Sequence, residues 1–542
     1  MASTRPQAHP EISWSGWGDP AEASELPESL RRMLHDALGV RKGRPSPATL
    51  AELELSPIRL PPDIREALAA IVGADHARDD HDARARHAAG KSTIDLLRLR
   101  DGRPLAAPDL VLEPGSHDEV IAVLELCSAR RVAVVPFGGG TSVVGGLTPE
   151  VDDFEGLVAL DVGRLDALIE LDEESRLAVL GPGLRGPEAE ALLGARGYTI
   201  GHFPQSYEYA SLGGFAAARS SGQASAGYGR FDELVLGMTV ATPAGTLTLG
   251  RAPKSAAGPD LRQLVLGSEG AFGVITSLTV QVRPAPQRRA YEGYSFPSFS
   301  QGTAAVRKLV QDGPTPTVLR LSDEVETALN LARPGQIGDE RQSGGCLAIV
   351  GYEGREDDVS RRQAAIGAEL ARAGATRVDG AGEEWLQGRY RGPYLRDSLI
   401  EAGALVETLE TVGFWSSLEP LYSGVSAALR DSLSEMGTPP VILCHISHVY
   451  RAGASLYFTV ACAQLPDAIA QWRQAKAAAG EAILAAGGSI THHHGVGTDH
   501  RDLYQQEIGP LATATLEAVK RTLDPAGILN PGVLLRSPAV SR

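Results

Sequence analysis

Cysteine is scarce. Cys127, Cys346, Cys444 and Cys462 are the only four in 542 residues, scattered and without a Cys-x-x-Cys pair. That argues against a disulfide framework and fits a reducing compartment, so the cytoplasm is the expected location. Basic residues are in deficit: 51 Lys and Arg stand against 67 Asp and Glu, for a net charge of −16 and a pI near 5.4. A chain whose main partner is nucleic acid needs a basic surface, so that class is excluded, whereas small anions held by local arginines are not. No run of about 18 apolar residues occurs, which excludes membrane insertion and leaves peripheral contact open. Met1-Ala2-Ser3-Thr4-Arg5-Pro6 lacks the apolar core of a signal peptide, and Ser537-Pro538-Ala539-Val540-Ser541-Arg542 carries no lipidation or peroxisomal address. No internal repeat and no long low-complexity tract is found.

What is present is enough chain for about three domain-sized units. Residues 1 to about 105 read as a wrapping extension, with Trp14 and Trp17 beside Gly16 and Gly18 and helical patterns at Glu28 to Leu38 and Pro62 to Ile71. From Pro108 to about Pro286, short apolar strands alternate with helices and Gly-rich turns. Ser116-His117-Asp118-Glu119 has capping-box spacing, and Val120, Ile121, Val123, Leu124 and Cys127 form an apolar helical face behind it. Val132 to Val135 then reads as a buried strand. Beyond residue 288, strands at Val318 to Leu321, Cys346 to Tyr352, Val441 to Ile446 and Ser455 to Ala461 are predicted, with helices around Ser360 to Ala373, Leu465 to Ala478 and Leu511 to Leu523. The expected class is α+β, divided into an extension (1–105), a cofactor domain (106–285), a cap or substrate domain (286–480) and a carboxyl-terminal segment (481–542).

Two features carry chemistry. The first is a set of glycine-rich segments in the cofactor domain. Pro136-Phe137-Gly138-Gly139-Gly140-Thr141-Ser142 follows a strand, and its backbone amides are free to converge on an anion. It is neither G-x-G-x-x-G nor G-x-x-x-x-G-K-[ST], which disfavours a Rossmann or Walker site. A small-residue stretch, Ser211-Leu212-Gly213-Gly214-Phe215-Ala216-Ala217-Ala218-Arg219-Ser220-Ser221-Gly222, permits close approach of a flat ligand. Gly267-Ser268-Glu269-Gly270-Ala271-Phe272-Gly273-Val274-Ile275 supplies a third such turn. The second feature is the loop Gly487-Gly488-Ser489-Ile490-Thr491-His492-His493-His494-Gly495-Val496-Gly497. Regular structure would fan three consecutive imidazoles apart, whereas a loop can aim several inward for proton transfer, anion binding or metal ligation. A polar surface loop is the alternative.

The three glycine segments, in order and spacing, resemble the FAD-binding domain of vanillyl-alcohol-oxidase type flavoproteins. The resemblance implies FAD held by Pro136 to Ser142, by Gln205-Ser206-Tyr207-Glu208-Tyr209-Ala210-Ser211, by Ala218-Arg219-Ser220-Ser221 and by Glu269 to Ile275. Thr141 follows the glycines and no cysteine lies close by, so non-covalent FAD is expected. His202 is the nearest imidazole and reads as a packing or capping residue. Ser15-Gly16-Trp17-Gly18, Gly201-His202, Val318 to Asp323, Tyr394-Leu395-Arg396-Asp397, Val406 to Thr411, Tyr450 to Phe458 and the histidine loop together resemble the alkyldihydroxyacetonephosphate synthase family over nearly the whole chain. That resemblance implies exchange of the acyl group of acyl-dihydroxyacetone phosphate for a fatty alcohol, with flavin N5 as covalent catalyst and no net oxidation. It assigns Tyr457 as acid/base, Arg396 as ligand of the substrate phosphate, Arg320 as a second arginine, and His492, His493 and His494 as the active-site loop. A homodimer is expected and no metal.

Alternatives stay open at this point. Arg396 can pair with Asp397 and Arg320 with another carboxylate, and a tyrosine in an apolar strand is ordinarily a core residue. The runner-up function is an FAD-linked D-2-hydroxy acid dehydrogenase of the D-lactate or D-2-hydroxyglutarate type. Such enzymes carry a metal on two strand histidines and a glutamate before His-Gly; here Tyr457 and His493 stand at two of those positions. His445 and His448 differ from the arginine and glutamine expected in the synthase, and Thr498-Asp499-His500-Arg501 replaces a Lys/Arg-rich segment. A metal on His445, His448 and the loop histidines is a further alternative. A catalytically inert flavin-binding scaffold is the third class.

Overall fold

The β-branched run at Val132 to Val135 forms the strand Ala133–Phe137 in a computed structural model that describes residues 12–23, 25–41, 49–100, 104–329 and 344–537. The readings made on Met1 to Pro6 and Pro538 to Arg542 lie outside the described residues. The strand pairs in parallel with Leu157–Asp161, which pairs in parallel with Leu110–Leu112. Parallel neighbours need a crossover, and the helix His117–Ala129 supplies one, burying Val120, Val123, Leu124 and Cys127. Ser116 caps it, its Oγ accepting from Glu119 N at 3.2 Å, but the return half of the capping box is absent: the Glu119 carboxylate accepts from Gly115 N at 2.8 Å.

A second, antiparallel sheet follows in the order Leu168–Asp172, Leu177–Leu180, Val274–Gln281, Val235–Thr242, Gly245–Leu249. The small-residue stretch becomes the short helix Leu212–Ala217, with Ser211 Oγ accepting from Gly214 N. The third sheet has seven antiparallel strands in the order Thr376–Val378, Arg288–Phe296, Cys346–Gly354, Val318–Ser322, Val441–Val449, Gly453–Ala463, Ala404–Phe414. The class is α+β, as expected.

Alternation along the third sheet decides where the chemistry sits. Leu319, Leu321, Ile446, Leu456, Phe458 and Leu409 point to one face and join an apolar cluster with residues of the helices Phe299–Asp312, Leu418–Glu435 and Ala468–Ala485. Each such side chain contributes about 1.5–3 kcal/mol on burial. The intervening residues face the other way, and the registers Ser322↔His445, His445↔Tyr457 and Tyr457↔Glu410 set four polar side chains in one row across four strands. A one-residue slip would drive that row into the helices, so the apolar face holds the register of the site.

The last helical span, Arg501–Leu523, is two helices meeting at Gly509, whose φ of 78 and ψ of 170 are not helical; the helix predicted from Leu511 is the second, and the first starts ten residues before it. At the other end, Leu26, Leu30, Leu34 and Leu38 of the extension pack on Leu399, Ala404 and Val406. All four cysteines are buried and unpaired. Among the described residues no helix is long and apolar enough to cross a membrane.

Candidate active site

Between the glycine-bearing ends of the first two sheets and the polar face of the third lies a cavity of about 420 Å³, within the size range of cofactor and small-molecule sites. Pro136 to Ser142 form one wall. A Cβ on Gly138 would strike Ser211 Oγ and one on Gly139 the Tyr209 carbonyl oxygen, while Gly140 has φ +66 with the Phe137 ring 2.7 Å from its missing Cβ. The first two glycine segments are therefore packed on each other and leave a wall nearly free of side chains.

Gln205, Ser206, Ala210, Ser211, Ala218, Ser220 and Ser221 continue that wall, and Glu269, Gly270, Gly273, Val274 and Ile275 complete it. Six residues expected beside the cofactor lie outside the lining: Tyr207, Glu208, Tyr209, Arg219, Ala271 and Phe272. Tyr207 stacks on Tyr390, and Tyr209 meets Trp17 edge-on. Arg219 ties down the carbonyls of Leu266 and Gln263. Ala271 and Phe272 join an apolar cluster with Val496 and Val533. In turns and short helices neighbouring side chains diverge, so contiguity in sequence overcounts the wall. His202 also stays outside, against the rings of Phe215 and Phe231 with Nε2 3.0 Å from Ser220 Oγ; burial lowers its pKa to about 3.

The histidine loop is held inward by a carboxylate to which the resemblance assigned no role. Glu410 accepts from the backbone N–H of His492 (2.7 Å), His493 (3.1 Å) and His494 (3.0 Å) and from Thr491 Oγ1 (2.6 Å). Burial alone would raise its pKa, but the three imidazoles and the Thr491 hydroxyl outweigh burial and hold it well below the ordinary carboxylate range. A second buried carboxylate, Glu269, accepts from Val496 N (2.8 Å) and Gly497 N (2.7 Å), tying the loop to the third glycine segment; burial raises its pKa to about 7. His493 and His494 reach the cavity, whereas His492 turns aside, with Nε2 2.6 Å from the Tyr450 hydroxyl and Nδ1 3.0 Å from His493 Nδ1. One ring nitrogen from each of His448, His492 and His493 lies within 4.8 Å of the others. His445 is engaged elsewhere, by Glu326.

Tyr457 lines the cavity together with Thr408, its ring 4.9 Å from that of His445, 6.1 Å from His493 and 5.5 Å from His494. Burial pushes its pKa to about 12, so it stands protonated at neutral pH. Burial pulls His493 down to about 4, leaving a neutral imidazole beside that proton donor. Arg320 lines the cavity and pairs with Glu326; Arg396 lines it and pairs with Asp397 through Nε (3.0 Å) and Nη2 (2.9 Å), with Nη1 on the Lys91 carbonyl at 2.6 Å. Glu326, Lys91 and Glu410 escaped motif reasoning. The signal for Glu410 was there, a carboxylate inside the Val406 to Thr411 segment that carries part of the resemblance.

Two family profiles cover most of the chain: an FAD binding domain at residues 108–250 and the C-terminal domain of FAD linked oxidases at residues 285–534. The alkyldihydroxyacetonephosphate synthase of Trypanosoma brucei brucei is 32% identical, over 98% of this chain and 93% of its own length. The chain belongs to the alkyldihydroxyacetonephosphate synthase family. A solved alkyldihydroxyacetonephosphate synthase matches it with a TM-score of 0.80 at 28% identity, covering 96% of this chain and 98% of that one. The 4-ethylphenol oxidase of Gulosibacter chungangensis, at 16% identity and a TM-score of 0.66 over 89% of this chain and 98% of its own, shares the vanillyl-alcohol-oxidase type fold alone. Like the rest of the family, this chain is an FAD enzyme of the synthase type. Its residues fit the cofactor: besides the glycine wall, Gln223 Oε1 and Arg320 Nε are buried in cavity-lining residues with no hydrogen-bond partner among the described residues.

Proposed function

We propose that the enzyme exchanges the acyl group of acyl-dihydroxyacetone phosphate for a fatty alcohol, making an ether-lipid precursor and releasing a fatty acid. The observation that supports this reading best is Tyr457 at the cavity wall, between His445 on one side and His493 and His494 on the other, with Arg320 and Arg396 on the same cavity. When bound, FAD supplies the covalent catalyst. It lies between a domain of residues 106–285 and a cap of residues 286–480, and the segment 481–542 closes over it. It is held without a covalent link, so acid precipitation of the purified protein releases all flavin to the supernatant.

Arg396 offers the substrate phosphate the N–H groups that Asp397 and Lys91 leave unused, and Arg320 adds a second fixed charge. Tyr457, protonated at rest, donates a hydrogen bond to the acyl oxygen as the carboxylate departs, and the neutral imidazoles of His493 and His494 are placed to accept protons. The test is purified enzyme with acyl-dihydroxyacetone phosphate and labelled hexadecanol, and in parallel with D-lactate or D-2-hydroxyglutarate and a dye. Labelled ether product supports the reading; dye reduction without ether overturns it.

The tri-imidazole cluster of His448, His492 and His493 favours the metal-assisted D-2-hydroxy acid dehydrogenase as a second reading. It requires bound transition metal in the active protein, which elemental analysis decides. A cytoplasmic homodimer touching membranes peripherally completes the proposal, tested by gel filtration and vesicle sedimentation.

A further inference from the structure

The strand Val441–Val449 places His445 directly opposite Tyr457, so both side chains stand on the polar face of the sheet and both line the cavity. His445 Nδ1 lies 2.8 Å from Glu326 Oε2. Glu326 is buried on the short helix Glu324–Ala328, and its other oxygen accepts from Ser322 Oγ at 2.8 Å and from Arg320 Nη2. His445 and Arg320 outweigh the burial of this carboxylate and keep it ionised. Nδ1 lies 2.8 Å from the ionised Glu326 carboxylate and 3.2 Å from Arg320 Nη2, which can only donate; the shorter contact, to the charged acceptor, favours Nδ1–H donating to Glu326, and the lone pair then sits on Nε2. The groups facing the ring are Arg320, Glu326, Tyr457 and His493, and burial and Arg320 keep the imidazole neutral at neutral pH. A carboxylate-oriented imidazole stacked on a protonated tyrosine is a base set beside an acid, and the exchange requires both.

We propose that His445, oriented by Glu326, is the base that takes the hydroxyl proton of the incoming fatty alcohol. The inference rests on the exchange reading above. In atom balance, the alcohol O–H bond breaks and its proton goes to His445 Nε2, while the alcohol oxygen forms the new C–O bond to the dihydroxyacetone phosphate carbon. The bond from that carbon to the acyl oxygen breaks, the fatty acid leaves as carboxylate, and the proton passes to solvent. No electrons are lost or gained overall. His445 is the catalytic residue, and Glu326 is a positioning residue acting through it.

The experiment uses flavin-loaded enzyme, acyl-dihydroxyacetone phosphate and labelled hexadecanol over a range of pH. In His445→Asn the side-chain amide keeps a donor to Glu326 but offers nothing in place of Nε2. Ether formation should fall roughly 100-fold or more, with the flavin spectrum unchanged and the acid limb of the rate profile lost. Glu326→Gln should lower the rate less and displace the acid limb. If His445→Asn binds no flavin, His445→Gln, whose non-basic amide reaches the Nε2 position, tests the same loss of base. Ether formation in the flavin-loaded variant within about threefold of the parent, far short of a general-base loss, or an unaltered pH profile, overturns the proposal alone. Parent enzyme that makes no ether overturns the exchange reading with it.

Discussion

Glu410 shows how a single carboxylate can organise a loop at a cavity wall. Three successive backbone amides and one hydroxyl donate to it, so Glu410→Ala leaves those donors buried without an acceptor. At about 1–3 kcal/mol for each unsatisfied buried donor, denaturant unfolding should show a loss of about 3 kcal/mol or more; a loss below about 1 kcal/mol, the scale of one ordinary hydrogen bond, would mean that the loop is held by other contacts. Tyr457→Phe removes only a hydroxyl. It should cut turnover roughly 100-fold and leave the flavin spectrum intact, whereas loss of flavin would make the tyrosine structural. Buried imidazoles also set a pH window. His202 and His493 have folded pKa values of about 3 and about 4, below the ordinary 6.5. The unfolded chain therefore binds protons first at these two groups, and the stability they supply, complete above pH 6.5, falls as pH drops through 6.5 toward 4, partly offset by Glu269, whose raised value of about 7 adds stability as pH falls through 7 toward 4.5. Glu410, also lowered, reinforces the fall below pH 4.5. Thermal midpoints of Glu269→Gln from pH 8 to pH 4.5, freed of that offset, should follow the histidine decline; a flat profile in that variant would contradict the neutral buried state.

The elements that were plain in the residue order are those whose period is strong. Val-Leu-Arg-Leu-Ser at 318–322 alternates and forms the strand Val318–Ser322, and the amphipathic stretch at 28–38 forms the helix Glu28–Leu38. The first half of Arg501–Leu523 was not legible, because Arg501 to Ile508 shows no apolar stripe. The glycine wall was legible as a turn, though not for its partner: Gly139 needs its missing Cβ because the Tyr209 carbonyl occupies that place. Gly139→Ala should push the two segments apart, and the protein should purify with little flavin, read as the ratio of flavin to protein absorbance. Full flavin content would show that the wall yields. The row from Ser322 to Glu410 could not be read in advance, since strand alternation states which residues share a face but not which strands are neighbours.

Across the whole molecule, the amino-terminal segment reaches the site it precedes by hundreds of residues. Trp17 lines the cavity and its backbone N–H donates to Asp397, the partner of Arg396, while the Lys91 ammonium donates to the carbonyls of Ser13 and Trp14. Gly18, at φ +61, lies where a Cβ would strike the Tyr394 hydroxyl, and a Cβ on Gly16 would come within 2.8 Å of Asp397 Oδ2. These contacts explain why Gly16-Trp17-Gly18 and Tyr394 to Asp397 belong to one pattern. A chain lacking residues 1–18 loses a hydrogen bond to a charged group, so the KM for the phosphate substrate should rise about tenfold with flavin retained; an unchanged KM would show that Arg396 needs no such support.

Residue order alone was enough for the cofactor class and the α+β fold, and it singled out Tyr457, the two arginines and the histidine loop, of which Tyr457, Arg320, Arg396, His493 and His494 line the cavity, because glycine, histidine and arginine in those patterns follow from local chemistry and resemblance. The partners came only with the folded chain. Asp397 for Arg396, Glu326 for Arg320 and His445, and Glu410 for the histidine loop are set by strand order and by backbone carried across long sequence separations. A buried charge is defined by what faces it, and in this chain what faces it lies mostly on another strand.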